Sequence, residues 1–208
     1  MELLPNHGFL LHKFSDAELA PLREEVKNIQ SSWNARPFNL ELVGNLQREY
    51  ELTASRDSLE QLLTPLVEQL EAASHYAQEV YINKNPGKFE LDDVWVNYQR
   101  KGEFNPLHDH RGVYSWVIWL ELPYTLKEED ALVPWCNPHK NFAGQFVMHY
   151  TDIVGNVKNY PLPTDQRLRS HAAIFPSRLR HSVYPFYSTD EYRISVSGNF
   201  LVKAAPES

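Results

Sequence analysis

Val113-Tyr-Ser-Trp-Val-Ile-Trp-Leu-Glu-Leu122 decides how the fold is read. It is a short apolar run rich in branched and aromatic residues, with a glycine just before it and a proline just after, the pattern of a buried strand. Comparable runs lie at Val94–Gln99, Ala143–Tyr150, His171–Phe175, Ser182–Phe186 and Arg193–Leu201. Proline-rich breaks separate them, for example Asn159-Tyr-Pro-Leu-Pro-Thr164. That many short strands suits a small barrel or a double-sheet jelly roll.

Upstream the period changes from two to between three and four. Ser15 and Glu18 have the spacing of a capping box, and Phe14 with Leu19 that of a hydrophobic staple. Leu19, Leu22, Val26 and Ile29 then form a helical stripe, with Pro21 in its first turn. A second stripe from about Arg56 runs through Leu59, Leu62, Leu63, Leu66, Leu70 and Ala73. Thr64-Pro65 within it fits either a second N-cap or a kink, so two helices and one bent helix both remain open. Helices followed by strands indicate an α+β fold. The expectation is a single domain over residues 1–208, with a mainly helical layer to about 90 and a strand-built core over about 91–201. Lys203 to Ser208 reads as a frayed tail.

The composition narrows the function. No stretch approaches the ~18 apolar residues of a membrane span, and Met1 to Asn6 lacks the features of a signal peptide. Twenty basic residues stand against 27 acidic ones, a net charge of −7, and the bases are scattered, so nucleic acid is a disfavoured partner. The densest basic group is Arg167, Arg169, Arg178 and Arg180. Cys136 is the sole cysteine, which excludes an intrachain disulfide and a multi-cysteine zinc site. A cytoplasmic protein is expected.

Nine histidines are many for 208 residues, and their placement matters more than their number. Asn105-Pro-Leu-His-Asp-His-Arg-Gly112 leads directly into the apolar run. In an extended chain His108 and His110 point to the same side, so both imidazoles can reach one metal ion while Asp109 points away. A third ligand must come from elsewhere, and His181, after the turn containing Pro176, is the candidate. Twelve residues on, Arg193 and Ser195 share one strand face, and Tyr192, Ile194 and Val196 share the other. An arginine pointing between two sheets is costly unless it meets an anion, and a guanidinium matches a carboxylate.

This order of residues resembles the Fe(II)- and 2-oxoglutarate-dependent dioxygenases. His108-Asp-His-Arg-Gly112 with Ser115-Trp-Val-Ile-Trp-Leu120, Phe175-Pro-Ser177, His181-Ser-Val-Tyr-Pro-Phe186 and Arg193-Ile-Ser-Val-Ser-Gly-Asn199 are similar to oxygenases often encoded by marine bacteriophages. The resemblance covers roughly residues 94–201. It implies a double-stranded β-helix (jelly roll, cupin-like) with the N-terminal helices packed on one sheet. It also implies Fe(II), 2-oxoglutarate as cosubstrate, O2 and a primary substrate that the sequence does not name, in the cytoplasm of a bacterium or of a phage-infected cell. His108 and His181 match the family's two histidine ligands, and His110 falls where the family has a carboxylate. Arg193, with Ser195 beside it, matches the residue that binds the distal carboxylate of 2-oxoglutarate. Tyr98 falls where many members have a tyrosine touching the same group, and its neighbour Asn97 is the weaker candidate.

The departure at His110 leaves the ligand set without charge, so a bound metal keeps both positive charges and attracts an anionic cosubstrate more strongly. Asp109 is the alternative ligand if the chain is irregular there. Two other readings stand beside the dioxygenase. One is a three-histidine, cupin-like oxygenase or isomerase that does not use 2-oxoglutarate. The other is a non-catalytic binding module on the same fold. His7, His12, His75, His139, His149 and His171 show no partner pattern and read as ordinary surface or core histidines. Trp116 and Trp119 read as core aromatics. The N-terminal helices are candidates for a homodimer interface or a cover for the sheet.

Overall fold

The computed structural model describes residues 8–80, 87–132 and 141–203. His7, Cys136, His139 and all but the first residue of the tail lie outside them. In chain order the elements are β1 (Leu10–Lys13), α1 (Ala20–Ser32), β2 (Glu49–Glu51), α2 (Arg56–Ser74), α3 (Tyr76–Val80), β3 (Phe89–Gln99), β4 (Asn105–His108) and β5 (Tyr114–Glu121). Then come α4 (Leu126–Leu132), β6 (Phe146–Thr151), β7 (Val157–Leu162), β8 (His171–Pro176), β9 (Arg180–Val183) and β10 (Arg193–Val202). The strands form a six-stranded sheet ordered β1-β8-β5-β10-β3-β2 and a four-stranded sheet ordered β4-β9-β6-β7, every pairing antiparallel. This is the helix-covered jelly roll expected from the resemblance, with neither sheet closed.

Period-two alternation in the large sheet sorts its side chains into two cores. Ile118 and Leu120 of β5, Val94 and Val96 of β3, and Ile194 and Val196 of β10 face the helices, where they meet Leu22, Val26 and Ile29 of α1 and Leu59, Leu63 and Val67 of α2. Each such residue, fully buried, contributes about 1.5–3 kcal/mol. Val117 and Trp119 of β5 and Ala173 and Phe175 of β8 face the other way and meet Phe146 and Met148 of β6. Because β5 is covered on both faces, its apolar run shows no polar alternation.

The Ser15–Glu18 box forms reciprocally: Ser15 N–H donates to Glu18 at 2.7 Å and Glu18 N–H to Ser15 Oγ at 3.3 Å. It closes the turn before α1, whose first helical turn holds Pro21. Thr64-Pro65 starts no new helix, since α2 continues through Pro65 to Ser74. The N-terminus of α2 is held from outside by Glu25 of α1, which accepts from Thr53 N, Ala54 N and Ser55 N at 2.8–2.9 Å. The proline-rich segment read as a break is largely strand β7. It lies at the edge of the small sheet, where a proline breaks no ladder that another strand needs.

Candidate metal centre

β4 and β9 pair antiparallel with His108 directly opposite His181. Both side chains emerge on one face of the small sheet, with ring centroids 4.3 Å apart. His110 lies two residues beyond His108, past the end of the strand. Its backbone N–H donates to Ser177 O at 3.0 Å, which brings its ring within 4.9 Å of His108 and 5.0 Å of His181. Gly112 then turns the chain into β5 at φ +97°, where a Cβ would lie 2.8 Å from Phe200 O, so the exit from the histidine segment requires glycine.

One ligand nitrogen from each of these rings falls within 4.8 Å of the others. A carbonyl oxygen can only accept, so His108 Nδ1–H donates to Pro106 O at 2.7 Å and His181 Nδ1–H to Leu179 O at 3.0 Å. Both rings are thereby locked with Nε2 unprotonated and facing inward, as a metal ligand needs. His110 Nε2 lies 3.2 Å from His181 Nε2. Two nitrogens each about 2.1 Å from one ion, at a right angle, are separated by about 3.0 Å. Burial, followed by the neighbouring His108, pushes the His110 imidazole down to about 3. Burial lowers His108 and, more strongly, His181. The three rings are therefore neutral at pH 7, and the donor set fits a divalent metal. Asp109 points elsewhere, toward Arg178 at 3.5 Å and Arg180 at 3.9 Å, and takes no place among the ligand atoms.

The histidines open on a cavity of about 300 Å³ between the sheets, with Arg193 and Ser195 of β10 also in its lining. Arg193 is only 1% exposed. Its Nη1 donates to Tyr124 Oη at 3.2 Å and to Gly144 O at 3.1 Å, while its Nε has no partner. Gly144 sits at φ +72° with Tyr124 packed where a Cβ would go, so glycine is needed to bring its carbonyl there. Burial pushes the Tyr124 phenol up to about 12, so it stays protonated and donates to the same carbonyl at 2.6 Å. Among the described residues no carboxylate lies within ion-pair distance of the Arg193 guanidinium.

Tyr98 does not join this group. Tyr98 pairs with Ile194 on the helix-facing side of the sheet. It is fully buried there, donating to Val26 O at 2.6 Å beneath α1 and packing on Trp33. Alternation explains the correction: on a strand whose odd residues line the cavity, an even one cannot. Asn97 occupies the cavity side, with Nδ2 donating to Ser195 Oγ at 3.4 Å and Oδ1 unpartnered. The tyrosine that does meet Arg193 is Tyr124, in the loop after β5, which no local sequence signal ties to β10. Trp116 and Trp119 are buried as expected and also line the cavity, each with an unpartnered Nε1–H. His149 bonds Ser182 and Asn159, and His171 lies next to Arg169 O, both apart from the ligand cluster.

Residues 93–199, half of the chain, match a family model described as "Putative 2OG-Fe(II) oxygenase". The chain belongs to the 2OG-Fe(II) oxygenase family. Membership implies Fe(II) and 2-oxoglutarate, and the three-imidazole donor set is compatible with the metal. Solved structures agree on the fold. A Pseudomonas putida prolyl-4-hydroxylase aligns over 95% of this chain and 94% of its own, with TM-score 0.56 and 18% identity. The viral collagen prolyl hydroxylase of Paramecium Bursaria Chlorella virus-1 aligns over 93% and 96%, with TM-score 0.51 and 12% identity. A Trichoplax adhaerens prolyl hydroxylase in complex with a hypoxia inducible factor peptide fragment aligns over 94% and 84%, with TM-score 0.54 and 14% identity. No curated protein sequence matches the chain. Among the described residues of this 2OG-Fe(II) oxygenase, no helix is long and apolar enough to cross a membrane.

Proposed function

We propose that this oxygenase couples the oxidative decarboxylation of 2-oxoglutarate to the hydroxylation of a second substrate, with His108, His110 and His181 as the metal ligands. The bound iron would supply the chemistry that no side chain here can: with O2, a substrate C–H becomes C–OH as 2-oxoglutarate becomes succinate and CO2. The protein's part is to bind and orient. Arg193, with Ser195 beside it, receives the distal carboxylate of the cosubstrate. Tyr124 and Gly144 hold the guanidinium by one nitrogen and leave Nε free for that carboxylate. The walls of Trp119, Phe146 and Phe175 limit water around the reacting groups.

One observation carries this reading: a buried guanidinium without a carboxylate partner among the described residues shares a cavity with three neutral, convergent imidazoles. A cation in such a place is stable only when an anion arrives. The test is calorimetric titration of 2-oxoglutarate into the Mn(II)-loaded protein, followed by succinate formation with Fe(II) and O2. Saturable binding that requires the metal supports the reading. The neutral histidine at position 110, in place of a carboxylate, favours one alternative, an oxygenase whose Arg193 grips the substrate's own carboxylate. Absence of 2-oxoglutarate binding to a protein that holds metal would select that alternative.

A further inference from the structure

β3 crosses the whole cavity, and its inward side chains change character along the way. Gln99 pairs with Arg193 at the deep end. Asn97, Trp95 and Asp93 follow at two-residue steps, all lining the same cavity. Each step is about 6.6 Å along a strand. The Trp95 ring lies 5.7 Å from that of His110, so the metal ligands sit level with the indole, and Asp93 marks the mouth one step further out.

The mouth is anionic where the deep end is cationic. Glu41 joins Asp93 in the lining, and both side chains are exposed. Among the described residues neither has an ion-pair partner. Partial burial, then Asp92, with smaller contributions from Glu41 and Glu51 and opposition from Arg56, raises the Asp93 carboxyl above its usual range. The third acid, Asp109, is engaged by Arg178 and Arg180. Among the described lining residues Arg111 is the only base at the rim, with Arg56 outside the lining but within electrostatic reach of Asp93. At the level of the histidines, one step in from the mouth, Phe38 stacks on Trp95 with centroids 5.6 Å apart and planes 19° apart. Leu42 and Val43 line the same cavity. Deeper in, Asn97 is 6% exposed and turns an unpartnered Oδ1 into the cavity, an acceptor awaiting a donor.

We propose that the primary substrate carries an alkylammonium or guanidinium group, held by Glu41 and Asp93 beside the Phe38–Trp95 stack, with the oxidised carbon roughly five bonds inward, as the strand spacing sets it. The proposal rests on the oxygenase reading for the position of the metal and of the cosubstrate. The carboxylates supply charge, the buried Phe38–Trp95 stack backs the site as an apolar wall, and Leu42 and Val43 give apolar contact for an alkyl stem. The cavity then separates its two ligands by charge: the dicarboxylate goes to Arg193, and the cation stays at the mouth.

The test uses the Mn(II)- and 2-oxoglutarate-loaded protein without O2, titrated with n-hexylamine, 1-hexanol and hexanoate and followed by tryptophan fluorescence. Mn(II)-induced relaxation of the amine's protons then gives the distance of each methylene from the metal. The expected result is hexylamine at least ~10-fold tighter than hexanol, no hexanoate binding, and strongest relaxation at the methylenes farthest from nitrogen. Glu41→Gln with Asp93→Asn should abolish the amine preference and leave 2-oxoglutarate affinity unchanged. Both positions are exposed, so the double variant folds. Nα-acetyl-lysine methylamide against its norleucine counterpart tells a peptide-borne cation from a free amine. Equal binding of amine and alcohol, or an amine preference that survives the double substitution, overturns the proposal. If 2-oxoglutarate fails to bind at all, the 2-oxoglutarate-coupled reading falls, and amine selectivity on the metal-free protein still decides this one.

Discussion

Replacing Arg193 by methionine separates a ligand-binding arginine from a structural one, because the two roles predict opposite changes in stability. In the unliganded protein the substitution removes two hydrogen bonds, at 3.2 and 3.1 Å. Each is worth about 0.5–1.5 kcal/mol. Gly144 O is not orphaned, since Tyr124 Oη–H still donates to it at 2.6 Å. Against that loss, a guanidinium 1% exposed and without a carboxylate partner among the described residues no longer has to be desolvated, a cost of several kcal/mol. Methionine fills much of the vacated space. The chelator-treated variant should therefore melt no lower than the parent, and higher by a few degrees at about 2–4 °C per kcal/mol. Cosubstrate binding should move the other way. Removing one partner of a buried, hydrogen-bonded charge pair costs about 2–5 kcal/mol, so affinity for 2-oxoglutarate should fall by about 30-fold to several thousand-fold. Differential scanning calorimetry and titration calorimetry on the same preparations read both quantities. A variant that melts more than about 5 °C lower yet binds 2-oxoglutarate unchanged would show that the arginine holds the fold, and the site as described would be wrong.

Metal affinity should be insensitive to mild acid. Three exposed imidazoles, at about 6.5 each, would together lose about 1000-fold in affinity between pH 7.5 and 5.5. The buried set, with His110 near 3 and the others lowered, should lose far less in a Zn(II) competition titration, and a loss above 100-fold would contradict the neutral, buried assignment. Because these imidazoles titrate below their unfolded value, the metal-free protein keeps their contribution to stability above about pH 6.5 and loses it as pH falls toward 3. Glu49 behaves in the opposite sense. It is buried, and that burial, followed by the charge of Glu103, pushes its carboxyl up to about 7. Its stabilising contribution is complete below about pH 4.3 and lost as pH rises through 7, which costs about 3 kcal/mol by linkage. Glu49→Gln should flatten the fall in melting temperature between pH 5 and 8, and an unchanged slope would rule out Glu49 as its source. Glu25→Ala frees three backbone N–H groups at the start of α2 and should lower the melting temperature by about 5–10 °C. A shift under 2 °C would mean that water replaces the carboxylate at no cost.

The elements legible in the sequence are those whose environment is uniform. β5 is apolar on both faces, and α1 and α2 each show one buried stripe, so a local window already contains the signal. β1, β2, β4 and β7 are short edge strands, or carry prolines, and owe their existence to a partner distant in the chain: Leu10 pairs with Ile174, and Val147 with Pro161. The helix α4 was readable in principle. Thr125-Leu-Lys-Glu128 has the same spacing as Ser15–Glu18, and Thr125 N–H and Oγ1 both bond the Glu128 carboxylate at 2.8 Å. Its short apolar stripe, against proline on one side, hides it.

The same division runs through the site. That His108 and His110 share a side follows from period two, and so does the shared face of Arg193 and Ser195. That His181 lies opposite His108 follows from a β4–β9 register that no local pattern encodes. Tyr98 shows what happens when a resemblance is followed against that period: its even position puts it under α1, and the cavity position passes to Asn97. The exchange has a chemical consequence. A phenol at the cavity position would add a hydroxyl donor to that of Ser195, since the Tyr124 hydroxyl is already given to Gly144 O, whereas Asn97 spends its Nδ2 donor on Ser195 and leaves Oδ1, which can only accept. With three neutral imidazoles in place of two and a carboxylate, the attraction for a dianionic cosubstrate then rests on the metal's undiminished charge and on Arg193. Restoring a ligand charge by His110→Asp should therefore weaken 2-oxoglutarate binding severalfold while Fe(II) is retained. Tighter cosubstrate binding in that variant would mean that the neutral ligand set has no part in attracting the anion.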